Sequence, residues 1–349
     1  MAAFGFESVV DFELFIDSLL DPTSWDFLTK PTLQEALPEL SDLEQARRES
    51  VAPHADMAPR AFGVHRLVLH AFSGRRRPGD FQEFLEAIIS KHSGFVVHVV
   101  SVDIILNSTW GDVTRLDCQN YWFHGVKSKF VIGYLAGPPC ETWSKAREHS
   151  LDQDPLAAAD HCAQGPRVLR TLAELWGMQC LAVRKVLQVF VGNQLLLFSF
   201  RMMVLLHATG AVGALEHPAP PATPTSASIW RAEIALLLSR LPGFERIDFA
   251  QGLLGAKSPK PTSILALHLP DLARQIRQGR VRDDLPQAAS IRRDTLGRWQ
   301  TTSLKEYPPA MCRALAASFA SAIARSTVDP DISISPSFWD KCADMVGND

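Results

Sequence analysis

From Arg66 onward the apolar residues follow two alternating rhythms. Leu67-Val68-Leu69-His70-Ala71-Phe72 is a compact apolar run closed by Ser73-Gly74, which predicts a buried strand. Phe81, Phe84, Leu85, Ile88 and Ile89 then recur at helical spacing. Val96 to Val102 is a second β-branched run, ending at Asp103. Phe130 to Leu135 is a third, ending at Ala136-Gly137-Pro138-Pro139. A fourth strand is expected at 211–215, ending at Glu216-His217-Pro218, with two more near 244–249 and 262–268. Helices are expected near 229–240 and from Leu304 to Ile323. Strands alternate with helices and each strand runs into a turn, the pattern of an α/β fold with a parallel sheet.

The segment 164–208 reads as one long apolar helical insertion. Arg201 interrupts it, and its uncharged stretch from Val189 to Phe200 is too short for a membrane span, which needs about 20 apolar residues. A buried helix and no membrane are therefore expected. Outside the periodic region the texture changes. Residues 1–60 read as an acidic, loosely packed arm with a short helix near 9–20, and 327–349 as an acidic tail, leaving 61–326 as the folded domain.

Charge sharpens that division. Residues 1–60 carry 4 Lys/Arg against 12 Asp/Glu, and 327–349 carry 1 against 5. The middle holds 30 basic and 21 acidic groups, a net +9 inside a chain whose net charge is −3. A basic body between acidic arms suits a polyanionic partner, though chance surface variation gives the same balance. The six cysteines form no CxxC pair and no zinc-ligand spacing, which favours a reducing compartment. No basic stretch followed by an apolar one opens the chain, so no secretory signal is expected and a nuclear or cytoplasmic location is.

Candidate chemistry centres on Ala136-Gly137-Pro138-Pro139-Cys140-Glu141-Thr142-Trp143-Ser144, just past a predicted strand, where open α/β sheets bind ligands. Prolines fix φ, so the turn would hold Cys140 stiffly at the sheet's carboxyl edge. A thiolate there is a nucleophile if a cation or a helix N-terminus activates it. A lone cysteine is otherwise an inert small hydrophobe. Glu216 adds an acid expected at the same edge.

With those residues in hand, the chain resembles the DNA cytosine-5 methyltransferases over about 65–325. The family's nucleophile lies in Gly-Pro-Pro-Cys-Gln-x-Phe-Ser, matched by Gly137 to Ser144, and its acid in Glu-Asn-Val, matched by Glu216-His217-Pro218. The family's opening Phe-x-Gly loop is similar to Phe72-Ser73-Gly74, its ribose-holding acid to Asp103, and its block near the adenine to Gly111-Asp112-Val113. Tyr307-Pro308-Pro309 is similar to its closing block. The wording of the cysteine string, with Lys-Ser-Pro-Lys-Pro-Thr at 257–262, also resembles methyltransferase-like domains of protists and mobile elements.

The resemblance implies a Rossmann-like methyltransferase fold, mostly parallel with helices on both faces of the sheet. It also implies S-adenosylmethionine as cofactor and DNA, or alternatively RNA, as partner. Cys140 would add to carbon 6 of cytosine while Glu216 steadies the ring. Lys257 and Lys260 would replace the family's arginines. Phe72, Ser73, Gly74, Asp103, Asp112, Val113 and Pro138 would line the cofactor site. A second reading is a catalytically inactive domain of the same fold, mobile-element derived, that binds nucleic acid or a protein partner. A third is a thiol enzyme unrelated to methylation. The chain departs from the family in several places. Arg75-Arg76-Arg77 stands where glycines are usual, His70-Ala71 lacks the acid, Glu141 replaces Gln and His217 replaces Asn. About 30 residues precede the terminal block, too few for a recognition domain.

Overall fold

A computed structural model describes residues 65–89, 96–106, 111–143, 168–179, 181–286 and 306–325. The expected arm, its helix near 9–20 and the acidic tail lie outside them. Six strands form one mixed sheet: β1 (His65–Ala71), β2 (Val96–Val102), β3 (Val131–Ala136), β4 (Val212–Pro218), β5 (Phe244–Ala250) and β6 (Pro261–Leu267). Their spatial order is β2-β1-β3-β4-β6-β5. The first four run parallel, whereas β6 is antiparallel to both β4 and β5. The reversal follows from loop length. A parallel return needs a crossover of about a dozen residues or more, and only 251–260 join β5 to β6.

Among the described residues six α-helices cover the sheet: α1 (Phe81–Ile89), α2 (Leu116–Lys127), α3 (Val183–Thr209), α4 (Glu233–Leu238), α5 (Leu272–Gln278) and α6 (Pro309–Arg325). The strands' period of two sorts side chains between two cores. Leu67, Leu69 and Ala71 of β1 join α2, α3 and α4, while Val68 joins α1, α5 and α6. Helices therefore pack on both faces, and both faces of the central strands are apolar.

The long apolar segment is one helix only from Val183, not from 164. Residues 168–179 run as turns with a single bridge from Thr171 to Ser226, and Gly177 at φ +144 has left helical space. α3 is long and apolar enough to cross a membrane by length and composition, yet 83% of its most apolar window is buried inside the protein. A helix that is apolar all round belongs in a core. Tyr134 ties it to β3 by donating to Ser199 Oγ at 3.1 Å. It stops at Gly210, whose φ of +73 is the left-handed cap that glycine adopts without strain.

β1 has β2 on one side and β3 on the other. The chain thus changes direction across the sheet between β1 and β3, opening a crevice at their carboxyl ends. The turns after both strands, Phe72-Ser73-Gly74 and Gly137 to Cys140, flank that crevice.

Candidate functional site

Register brings the cysteine turn and the acid together. β3 and β4 pair as far as Ala136 and Leu215. One residue further, β3 leaves the sheet as the Gly137-Pro138-Pro139-Cys140 turn. β4 continues, because β6 still pairs with it through Glu216↔Ile264, His217↔Ser263 and Pro218↔Thr262. Glu216 is thus inside the strand rather than at its end, with an open flank facing Gly137. A Cβ on Gly137 would lie 3.2 Å from Glu216 Oε2 and would overlap the Tyr307 hydroxyl. Only glycine fits there.

Glu216 is 6% exposed and fully engaged. Gln251 Nε2 donates to Oε1 at 3.0 Å, the Tyr307 hydroxyl donates to Oε2 at 3.2 Å, and Lys260 Nζ lies 3.9 Å from Oε1. Burial pushes the carboxyl above its usual range, and Lys260, Tyr307 and Gln251 offset that only in part. A carboxyl raised in this way holds a proton more readily than an exposed one, as a proton donor must. Tyr307 is driven well up by burial and by the Glu216 charge, with the Cys140 thiol among its neighbours. It therefore stays a hydroxyl donor. Lys260, at φ +37, also lies 5.7 Å from the Tyr307 ring centroid. Of the two predicted lysines, Lys260 reaches Glu216, whereas Lys257 is exposed on the loop.

Cys140 is half-buried, and its carbonyl accepts from Trp143 N at 2.9 Å, closing a tight turn. Pro138 is buried and Pro139 exposed. Behind the turn, Arg170 acts as a clamp. It is 2% exposed and donates to Thr142 Oγ1 at 2.9 Å, Asn193 Oδ1 at 2.7 Å, Leu175 O at 2.9 Å and Val189 O at 3.2 Å. Its guanidinium stacks 3.9 Å from the centroid of Trp143. Trp143 is accordingly a packed anchor, meeting Trp176 and His217 edge-on. Ser144, Lys145 and Arg147 lie outside the described residues. A groove of about 890 Å³ runs between Pro139, Glu141 and Thr142 on one side and Arg184, Gln188 and Val191 of α3 on the other.

His217 is enclosed by Trp143 and Trp230, and burial, then the Arg170 charge, push its pKa down to about 3. It is neutral at physiological pH and far from the range of a useful general base. The unfolded chain takes up a proton on this residue below about 6.5, and the folded chain does not until about 3. Stability is therefore full above pH 6.5 and falls as pH drops toward 3, with His70, lowered to about 4, adding in the same direction. Urea midpoints compared at pH 7 and pH 4.5 should differ less in His217→Asn than in the wild type. An unchanged difference would show that His217 is not the acid-sensitive group.

On the other side of the crevice, Phe72 at φ +56 and Gly74 at φ +67 bend the chain sharply away from β1. Left-handed backbone in a phenylalanine is strained, the kind of conformation that clusters at ligand sites. Asp103 fixes the bend: Oδ2 accepts from Gly74 N and Oδ1 from Ile105 N, both at 3.0 Å. Ser73 N bonds Val102 O at 3.3 Å. A Cβ on Gly111 would overlap the Asp103 carbonyl, so the Gly111-Asp112-Val113 block packs directly on Asp103. Asp112 Oδ1 accepts from Thr114 N at 3.1 Å and Thr114 Oγ1 at 2.6 Å. Val113 is 1% exposed within the helical core, so its side chain is a packing residue rather than a lining one.

The arginine turn is mostly internal. Arg76 Nε pairs with Asp80 at 2.6 Å, and Arg77 Nη2 donates to the Tyr307 carbonyl at 2.6 Å. Burial raises the Asp80 carboxyl, but Arg76 outweighs it and holds it below the usual range. Asp80 also caps α1 by accepting from Glu83 N at 2.9 Å. Arg75 alone of the three is exposed. Of the basic residues in these turns, Arg75 and Lys257 are exposed, whereas Lys260 is turned onto Glu216.

Sequence reasoning missed Gln251, Arg170 and Tyr307 as site residues. Gln251 gave no signal. Arg170 stood out only as a charge in an apolar stretch, and Tyr307 only as part of the closing Tyr-Pro-Pro block. No protein-family model matches the chain, and neither a curated protein nor a solved structure matches it.

Proposed function

We propose that this chain is an S-adenosylmethionine-dependent methyltransferase acting on carbon 5 of cytosine in nucleic acid. Cys140 would be the covalent nucleophile and Glu216 the acid. The observation that carries this reading is the β3–β4 register, which sets a stiff Gly-Pro-Pro-Cys turn against a buried, raised carboxyl. The switch-point crevice beside it, with helices on both faces of the sheet, supports the methyltransferase form of the fold.

The Cys140 thiolate would add to carbon 6, and the ring's electron pair would move to carbon 5. Glu216 would hydrogen-bond ring N3 and the exocyclic amine, stabilising the charge as it develops. S-adenosylmethionine, when bound, supplies an electrophilic methyl group. After transfer, loss of the carbon 5 proton and expulsion of the Cys140 sulfur restore the double bond. A base in a duplex would have to leave the stack to reach Cys140.

The turn after β1 would be the place for the cofactor. No heavy atom stands within 4 Å of the space a Cβ on Gly74 would fill. Asp103, bonded to Gly74 N, would hold the ribose of the cofactor, and Asp112, Phe72, Ser73 and Pro138 would complete its site. Asp103→Ala should weaken cofactor binding by about 1–3 kcal/mol in calorimetry, since it removes a charge-assisted hydrogen bond and releases Gly74. The internally tied arginine turn favours the second reading, a non-catalytic domain that binds nucleic acid or a protein. No heat from the wild type at millimolar S-adenosylmethionine would select that reading.

A further inference from the structure

We infer that Tyr307 is a positioning residue for the Glu216 carboxyl and that Arg77 sets Tyr307, so the turn after β1 is mechanically linked to the acid. The inference deepens the proposed function and rests on reading Glu216 as the acid of the site.

Three contacts form the link. Arg77 Nη2 holds the Tyr307 carbonyl at 2.6 Å, a short charge-assisted bond. The Cys312 thiol approaches the same carbonyl at 3.9 Å. The Tyr307 hydroxyl then reaches Glu216 Oε2 at 3.2 Å. The strut has little freedom. Tyr307 precedes Pro308, which confines its backbone to extended geometry, and Pro309 follows at once. The arginine turn docks on this corner: a Cβ on Gly79 would sit 3.3 Å from Pro309 Cβ. The same turn holds Gly74 three residues before Arg77, and Gly74 is bound to Asp103. The arginines that stand where the family has glycines are thus given a task. Arg77 anchors the residue that orients the acid.

The alternative is that Arg77 affects Glu216 only by its charge through space. A double-substitution cycle separates the two. The titration of Glu216 is read by carboxyl NMR in full chain labelled with ¹³C-glutamate, assigned by difference with Glu216→Gln. The groups that face Glu216 and Tyr307 and can titrate or carry charge are Lys260, Cys140, Cys312, Arg77 and Glu306. The last is paired to Arg77 at 3.8 Å. All stay intact apart from the residue changed.

Tyr307→Phe removes a donor to the carboxylate, so the Glu216 midpoint should move up. Arg77→Gln should also move it up, although Arg77 acts through Tyr307. The double variant should move it no further than Tyr307→Phe alone. Arg77→Lys, which keeps the charge and one donor, should fall between wild type and Arg77→Gln. No shift in Arg77→Gln, or fully additive shifts in the double variant, would overturn the link. The titration needs no turnover. Absence of methyl transfer by the wild type would therefore remove the proposed function and leave the link standing.

Discussion

Arg170→Met should lower the stability of the protein by at least about 1–3 kcal/mol, the cost of leaving a buried hydrogen-bond acceptor unpaired. The guanidinium serves four acceptors from three parts of the chain: Thr142 in the cysteine turn, Leu175 in its own segment, and Asn193 and Val189 on α3. Methionine fills similar volume and donates to none of them. Each acceptor left buried and unpaired costs about 1–3 kcal/mol before relaxation. Total stability of such a domain is only about 5–15 kcal/mol, so the urea midpoint should fall steeply. Because Thr142 and Trp143 are held from behind by this one residue, the turn that carries Cys140 should loosen first. A loss below about 1 kcal/mol would mean that the acceptors find other donors, and that the clamp is not what fixes the turn.

Glu216→Gln should slow methyl transfer by roughly 10²–10⁴-fold, the range for removing a positioned general acid. The amide keeps the shape and can still accept from Tyr307, so the fold should survive, but it cannot deliver a proton to ring N3. Lys257→Ala, at an exposed position on the neighbouring loop, should change the rate little. Equal rates for Glu216→Gln and wild type would leave the buried carboxyl as a structural group alone.

Much of the architecture was legible in the chain because the buried strands are short apolar runs closed by turns. Val96 to Val102 and Phe130 to Leu135 fall almost where β2 and β3 lie. The reversal of β6 was not foreseen, although the ten residues between β5 and β6 already forbid a parallel crossover. The strand ending at Leu215 was cut short because Glu216 and His217 look like turn residues. Their burial is decided by β6, a partner the local sequence does not reveal. The long apolar stretch hid its own break: Arg170 and Gly177 are single residues in an otherwise helical pattern, and they matter only through tertiary contacts. Cys140 and Glu216 could be picked out because chemistry and a resemblance pointed to them. Gln251 and Tyr307 could not, since a glutamine and a tyrosine become site residues only when folding sets them on the acid. The three arginines misled for a related reason. A run of like charges reads as a surface, yet Asp80 and the Tyr307 carbonyl had claimed two of them.

The central claim is that Cys140 and Glu216 perform covalent methyl transfer to cytosine. Its most direct test is transfer of a labelled methyl group from S-adenosylmethionine to cytosine-containing DNA and RNA, with wild-type chain and Cys140→Ala side by side. The wild type should place label on carbon 5 of cytosine in at least one of the two nucleic acids, and Cys140→Ala should place none. No label from the wild type on either nucleic acid, or equal label from the alanine variant, would contradict the account.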